Sequence, residues 1–505
     1  MMTPVQIKAG LRPLGALLAG IVDAPLPAEW RERPVTNVQD DSRRAEPGCI
    51  FTALRGTTMD GRKFVADACA HGATVLIGEG IEPIAGKLVL NVPDARRTLA
   101  LLAARWHGLE DPAAIPVRLL GVTGTNGKTT VAYMTQAILR AAGNRCAMLG
   151  TVRYDLCGET ITAKMTTPGP LELTQYIRQA VDNGAEAVVM EVSSHALDQH
   201  RIDGLRFAAA AFTNLTQDHL DYHVSMEAYR EAKAWLFRQL DADAAAVVNA
   251  DDPHTAAILD GCAARVVSFG LSNEAGITAE IQQETIGETR FKLHLGGRQL
   301  NIKSALVGRH NVYNALTAAG LAQAAGASAE AIEQGLNGLR NVPGRLHRVP
   351  SVPELDVFVD YAHTPDALVK VLSVLKPLTR KRLIVVFGCG GNRDREKRPQ
   401  MGRAVAAQAD AIIVTSDNPR LEDPRRIIEE ILPGLDEAAR RRAVIEPDRR
   451  YAIHAAIASA APGDVVLIAG KGHEDYQIVG KERRPFDDME VALEALSNKA
   501  GKGDG

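Results

Sequence analysis

Apolar residues in this chain collect in short continuous runs separated by stretches of helical spacing. Residues 117–122, 187–190, 208–212 and 244–248 are runs of this kind, and 129–142 has the three-and-four spacing of a helix. A strand that is apolar throughout, rather than at alternate positions, is buried on both faces by the helices that connect it to its neighbours. The pattern therefore predicts a parallel sheet covered on both sides. The rhythm returns at 357–359, 383–387, 411–415 and 465–469, which predicts a second doubly wound sheet. Ahead of both, 49–53, 74–77 and 88–90 are short apolar strands mixed with helical stretches.

Asp111-Pro112 and Ile115-Pro116 break the pattern and mark a linker, and a second break lies at Asn341-Val342-Pro343-Gly344. Three domains are expected, over 1–112, 113–342 and 343–505. At about 150 residues per domain, a length of 505 agrees. The polar tail from Asn498 to Gly505 is expected to fray. Ligands of open α/β sheets bind at the carboxyl ends of the strands, so chemistry is sought there.

Composition narrows the class. The chain is 46% hydrophobic and 24% charged, as globular proteins are. With 58 Lys and Arg against 61 Asp and Glu, it lacks the basic surplus of a nucleic-acid or acidic-membrane binder. Aromatics at 4% do not favour base-stacking platforms. The cysteines at 49, 69, 146, 157, 262 and 389 form no C-x-x-C pair, which argues against a disulfide framework or zinc site and for a reducing cytoplasm. Arg12 and Pro13 interrupt the first apolar stretch, against a signal peptide, and no run approaches the ~20 apolar residues of a membrane span. An enzyme acting on small molecules is expected.

The run 117–122 leads into Gly124-Thr125-Asn126-Gly127-Lys128-Thr129-Thr130 and then a helix. Glycines let backbone N–H groups turn toward phosphates, and the helix N-terminus adds partial positive charge. Lys128 would reach the β- and γ-phosphates, and the Thr129 hydroxyl suits Mg²⁺. The spacing departs from the usual phosphate loop, because Gly121 comes one residue early and position 122 is Val. A plain glycine turn is the alternative. Glu191, ending the run 187–190, could hold a metal directly or through water. His219, between Asp218 and Asp221, reads either as a metal ligand or as part of a capping network. Lys233, on a helix predicted over 226–240, reads by itself as a solvated lysine.

Gly-Thr-Asn-Gly-Lys-Thr-Thr, Glu-Val-Ser-Ser-His, Asp-His-Leu-Asp-Tyr-His, Gly-Arg-His-Asn-Val-Tyr-Asn-Ala and Asp-Tyr-Ala-His-Thr-Pro follow one another in this order. In these motifs the chain resembles the Mur ligases, ATP-dependent amide-forming enzymes of peptidoglycan precursor synthesis, over nearly its full length. The resemblance implies a small α/β uridine-binding domain, a central P-loop parallel-sheet ATPase domain and a C-terminal Rossmann-like α/β domain. It implies that Ser42, within Asp41-Ser42-Arg43, and Thr57, Thr58 and Met59 contact the uridine nucleotide, although Thr-Thr stands where some relatives carry His-Gln. Thr166, Thr167, Ser193, Gln199 and Arg201 would hold the rest of that UDP-linked substrate. Asn311, with His310 and Asn314, would approach the adenine of ATP, and Arg345 and Asp360 would meet the γ-phosphate and ribose. The resemblance also replaces the solvated reading of Lys233. In the family the matching lysine is carbamylated by CO₂, which turns a cation that would repel Mg²⁺ into an anionic oxygen ligand. Two Mg²⁺ are implied, one at Thr129 and Glu191 and one at His219 and the Lys233 carbamate.

Asp417-Asn418-Pro419-Arg420 follows the run 411–415. By itself it could be a turn. In the family it is similar to the signature of members that add meso-diaminopimelate. That acceptor differs from lysine by a distal carboxylate, and a guanidinium forks onto a carboxylate with two hydrogen bonds. Arg393, Gly470 and Glu474 match further contacts to the amino acid. Gly470-Lys471-Gly472-His473-Glu474 could also be a second phosphate loop, but no Ser or Thr follows Lys471. The implied reaction adds meso-diaminopimelate to UDP-N-acetylmuramoyl-L-alanyl-D-glutamate through an acyl phosphate, giving ADP and phosphate. The alternatives are a lysine-adding member, a folylpolyglutamate synthase-like ligase, and a P-loop switch or motor. A monomer in the bacterial cytoplasm is expected, with no nucleic-acid partner.

Overall fold

A computed structural model of the chain describes residues 11–56, 59–111, 115–272, 274–350 and 355–500, so Thr57 and Thr58 lie outside the described residues. The chain divides into two compact units, Met1–Ile277 with Leu316–Ile332, and Thr278–Ala315 with Glu333–Gly505.

The first unit opens with a four-stranded parallel sheet in the order Val38–Gln39, Ile50–Ala53, Val75–Gly78, Leu88–Asn91. The helix Ala95–Trp106 buries Leu99, Leu102 and Trp106 in the same core as Ile50, Ile77 and Leu90. Asp94 caps this helix, its Oδ1 accepting from the Arg97 N–H at 2.9 Å. A larger sheet follows, with parallel strands in the order Cys146–Leu149, Ala187–Glu191, Arg118–Thr123, Ala209–Phe212, Ala245–Asn249, Arg265–Phe269. Ala187–Glu191, Ala209–Phe212 and Ala245–Asn249 are buried at every position, as continuous apolar runs require. Register then aligns the chemistry: Glu191 pairs with Val122 and Phe212 with Thr123, so three carboxyl ends stand level.

In the second unit a six-stranded sheet runs in the order His347–Arg348, Asp356–Asp360, Val465–Ala469, Leu383–Phe387, Ala411–Val414, Ala443–Ile445, parallel except for the first strand. Helices cover both faces, and each face has its own apolar core. Asp360 pairs with Ala469 and Phe387 with Val414, again setting strand ends side by side.

Both parallel sheets follow the sequence pattern. The antiparallel pieces do not appear in it: Arg153–Asp155 with Thr160–Thr162, Thr289–Leu295 with Arg298–Ser304, and Tyr476–Val479 with Glu482–Pro485. Thr289–Leu295 buries only alternate residues, so a search for unbroken apolar runs passes over it. Of the tail expected to fray, residues 498–500 are instead helical, with Lys499 Nζ donating to the carbonyls of Ala458 and Ala460 at 2.9 and 2.7 Å, and residues 501–505 lie outside the described residues. All six cysteines are unpaired. Among the described residues no helix is long and apolar enough to cross a membrane.

Candidate active site

The loop 124–127 joins the strand Arg118–Thr123 to the helix Lys128–Ala141. Gly124 has φ 144°, and a Cβ there would stand 1.9 Å from the Thr213 hydroxyl, so only glycine lets the loop pass this strand end. The segment 213–216 clamps the loop. The Thr125 N–H donates to Asn214 O at 2.8 Å, the Asn126 N–H to Asn214 Oδ1 at 3.1 Å, and the Thr213 hydroxyl to Asn126 O at 2.6 Å. Lys128 Nζ reaches back over the loop to the carbonyls of Gly124 and Thr125, at 2.8 and 2.9 Å. Thr129 and Thr130 are buried in the first helical turn, behind Gly127 at φ 90°.

The Glu191 carboxylate is buried beside that turn. Its Oε2 accepts from the hydroxyls of Thr129 and Thr151, each at 2.9 Å, and its Oε1 from the Thr151 N–H at 2.8 Å. A hydroxyl and a single carboxylate are hard oxygen donors, and they leave the other positions to phosphate and water as Mg²⁺ prefers. These residues therefore fit that ion. Among the described residues, no group of three or more His, Cys, Asp or Glu side chains is arranged to hold a metal by itself.

Lys233 is 1% exposed. The reading of a solvated lysine is thus corrected: Tyr229, Lys233, Ala234 and Phe237 share the buried face of the helix Met226–Arg238. Its Nζ lies 4.3 Å from the Tyr229 ring centre. Burial first, then the Lys128 ammonium, presses its pKa well below that of an ordinary lysine, with Asp218 opposing. The Tyr229 hydroxyl donates to Thr125 Oγ1 at 3.2 Å, which ties this helix to the phosphate loop. His219 adopts φ 53° at the start of the helix Leu220–His223, and its ring lies 5.0 Å from His195 and 6.1 Å from Tyr229. Burial, with His219 and His223 nearby, lowers the His195 pKa to about 4.

The residues expected at the UDP-linked substrate fall into two groups. Thr166 meets Thr151, oxygen to oxygen, at 3.0 Å. The Thr167 hydroxyl donates to Glu191 O at 2.8 Å, and Arg201 joins Thr167 O (2.7 Å) to Gln199 Oε1 (2.8 Å). Ser193 caps the helix Ser194–Asp198 and receives a weaker bond from Thr167 at 3.4 Å. Ser42 and Met59 lie instead on connections between strands of the four-stranded sheet. Ser42 is buried in the turn Ser42–Arg44, and Met59 is exposed in the turn closed by the Gly56 N–H and Met59 O at 2.9 Å.

In the second unit, Asn311 lies in the helix Arg309–Ala324, its Nδ2 donating to Val307 O at 2.8 Å and its Oδ1 accepting from Asn314 at 3.0 Å. Asp360 accepts the N–H groups of Leu346 at 2.6 Å and Ala362 at 2.8 Å, while burial raises its pKa. The Arg345 guanidinium lies 5.2 Å from the Tyr361 ring centre.

The segment 417–420 packs against 470–478. Asn418 Nδ2 donates to Glu474 Oε2 at 2.8 Å, Asn418 Oδ1 accepts from the Ile478 N–H at 2.9 Å, and Gln477 Nε2 donates to Asp417 O at 2.7 Å. Gly470 has φ 120°, and a Cβ there would meet Asp417 Oδ2 at 2.6 Å. Arg420 has φ 52°, and its guanidinium donates to Gly391 O at 3.0 Å, next to the loop carrying the exposed Arg393. A Cβ on Gly391 would stand 1.9 Å from Pro419 O, so these two loops touch backbone to backbone.

Sequence reasoning passed over the supporting residues. Thr151 and Tyr229 carried no motif signal, although Tyr229 precedes Lys233 by one helical turn. Thr213, Asn214 and Thr216 were visible only as a strand end. Arg449 and Asp488 form a wholly buried ion pair at 2.6 Å, and the same guanidinium donates to Ser416 O at 3.2 Å and Ala469 O at 3.0 Å. Arg398, also buried, binds Glu422 at 3.0 Å and Glu430 at 2.7 Å. Buried cations far apart in sequence leave no local pattern to read.

Residues 34–107 match the profile of the Mur ligase family catalytic domain, 122–322 the Mur ligase middle domain, and 344–472 the Mur ligase glutamate ligase domain. The UDP-N-acetylmuramoyl-L-alanyl-D-glutamate--2,6-diaminopimelate ligase of Solibacter usitatus is 42% identical over 96% of this chain and 98% of its own. The protein of that name from Geobacter metallireducens is 44% identical over 92% and 94%. A solved structure of a ligase with the same name superimposes with TM-score 0.73 at 34% identity, over 97% of this chain and all of that one. Mycobacterium tuberculosis folylpolyglutamate synthase, solved with ADP, shares the fold at TM-score 0.58 and 20% identity over 73% of this chain and 90% of its own. The chain belongs to the Mur ligase family.

Proposed function

We propose that this chain joins meso-2,6-diaminopimelate to UDP-N-acetylmuramoyl-L-alanyl-D-glutamate with hydrolysis of ATP. The observation that carries the reading is the likeness, over nearly the whole of both chains, to relatives named for that reaction. Arg420 adds chemical support, since a lysine acceptor would leave its guanidinium without a carboxylate and set an ammonium against it.

A carboxylate is a poor acyl donor because oxide leaves badly. The substrate's γ-carboxylate attacks the ATP γ-phosphorus, ADP departs, and an acyl phosphate forms. The acceptor amine then adds to the acyl carbon, and the tetrahedral adduct expels phosphate and loses a proton to give the amide. The chain needs no covalent nucleophile for this; its residues position groups and balance charge. The N–H groups of 124–130 cradle the phosphates, and Lys128 swings from the loop carbonyls onto the β- and γ-oxygens. Thr129 and Glu191 would hold one Mg²⁺, and His219 with Lys233 a second, which when bound lowers the charge on the transferring phosphoryl group. The Lys233 amine, in its deprotonated form, adds to the carbon of CO₂ and releases a proton, becoming a carbamate.

Asn311 faces adenine in this reading, and Arg345 and Asp360 serve the γ-phosphate and ribose. Ser42, Thr57, Thr58 and Met59 serve the uridine end, and Thr166, Thr167, Ser193, Gln199 and Arg201 the remainder of that substrate. Arg393, Asp417, Asn418, Pro419, Arg420, Gly470 and Glu474 receive the diaminopimelate. Domains 1–112, 113–342 and 343–505 each contribute one substrate contact region, and the protein acts as a cytoplasmic monomer.

Phosphate release by the purified protein tests the reading. Turnover should need both the UDP-linked dipeptide and meso-diaminopimelate, with lysine a poor substitute. Equal turnover with neither substrate would favour a nucleotide switch and end the proposal.

A further inference from the structure

Tyr222 belongs to Asp218-His219-Leu220-Asp221-Tyr222-His223, a motif of which the proposed reaction uses His219 alone. It lies in the helix Leu220–His223, with its ring 4.1 Å from that of His195. Its hydroxyl donates to Asp198 Oδ2 at 2.7 Å and accepts from Gln199 Nε2 at 2.9 Å. Gln199 Oε1 in turn accepts from Arg201 Nη2 at 2.8 Å and Nε at 3.2 Å, and Arg201 Nη1 donates to Thr167 O at 2.7 Å. Four side chains thus form one line of hydrogen bonds, from Arg201 through Gln199 and Tyr222 to Asp198.

The two ends fix the direction of that line. A guanidinium only donates, and an ionised carboxylate only accepts. A phenol has one proton. Asp198 takes it, so toward Gln199 the Tyr222 oxygen can only accept. Gln199 must then present its NH₂ group to Tyr222 and its carbonyl to Arg201. Both outer bonds are charge-assisted, which makes this sense stronger than one between neutral groups. Without the hydroxyl the amide has no fixed sense. Its NH₂ group can then face Arg201, donor against donor, and the guanidinium loses the two bonds that Gln199 gives it.

We infer that Tyr222 is a positioning residue for the UDP-linked substrate: with Asp198 it sets which way the Gln199 amide faces, and through that amide it holds the Arg201 guanidinium. The inference rests on the substrate roles proposed for Gln199 and Arg201.

Initial rates of phosphate release by the full chain, with each substrate varied in turn, test it. Tyr222→Phe keeps the ring beside His195 and removes the hydroxyl. KM for the UDP-linked dipeptide should rise about tenfold, while kcat and the KM values for ATP and meso-diaminopimelate change less than about twofold. Gln199→Leu should raise the same KM. The double variant should be no worse than Gln199→Leu alone, because Tyr222 acts only through that amide; a merely structural role would multiply the two effects. Asp198→Asn lets the hydroxyl turn its proton toward Gln199 and should raise this KM about threefold, so it carries the test if Tyr222→Phe does not fold. A dipeptide KM unmoved by Tyr222→Phe or by Asp198→Asn, or single effects that multiply in the double variant, overturns the inference and leaves the substrate roles standing. A dipeptide KM unmoved by Gln199→Leu and by Arg201→Ala removes those roles, and this inference with them.

Discussion

Thr151 grips both oxygens of Glu191, its backbone N–H at 2.8 Å from Oε1 and its hydroxyl at 2.9 Å from Oε2. The contact fixes the one carboxylate that the sheet register brings level with the phosphate loop. Thr151→Val keeps the shape and removes the hydroxyl donor. The Mg²⁺ concentration for half-maximal phosphate release should rise about ten- to hundredfold, with stability falling by only about 1 kcal/mol. Metal titration beside a denaturant melt checks both.

Lys233→Ala removes the amine whose pKa burial presses well below that of an ordinary lysine. Activity should fall by at least about a hundredfold and return in part with short carboxylates such as acetate, which replace a carbamate's oxygens. A variant as active as the parent would count against modification, and an intact-mass spectrum under CO₂ reads the adduct directly.

Arg420→Ala should weaken meso-diaminopimelate selectively, raising its KM about ten- to hundredfold while KM for ATP stays unchanged. Retained preference over lysine would transfer the discrimination to other residues.

His200 links the cap of the helix Ala95–Trp106 to the turn at Asp203. Its Nδ1 is 3.0 Å from Asp203, its Nε2 is 3.6 Å from Asp94, Arg97 also reaches Asp203 at 3.5 Å, and the Trp235 ring lies 5.8 Å away. The hydrogen bond to Asp203 raises its pKa above 6.5 against the cost of burial. The folded state therefore holds the proton more tightly than the unfolded one. The stabilisation is complete below pH 6.5 and is lost as pH rises through the elevated value. The gap in Tm between the protein and His200→Gln should be widest in acid and should narrow as pH rises through the elevated value; a constant gap would contradict it.

Both parallel sheets were legible because a strand buried on two faces has no polar positions to confuse the reading, as at Ala187–Glu191. Lys128 and Thr129 were legible because a glycine loop between strand and helix leaves a local signature, and Glu191 because it ends an unbroken apolar strand. Lys233 was legible only through the family, since its burial depends on where its helix packs rather than on neighbours in sequence. Thr151 and Arg449 could not be read at all. Each acts across the fold, and a lone threonine or a cation looks like surface until the chain has closed around it.

Arg449 hydrogen-bonds the carbonyls of Ser416 and Ala469 with a single guanidinium. One planar group thus serves as a common rivet for two segments far apart in the chain, and neither can shift without dragging the other. On the proposed diaminopimelate reading, re-engineering this ligase toward a different amine would therefore succeed by transplanting 416–420 and 469–478 together. Exchanging either stretch singly would leave the rivet pulling on a mismatched half.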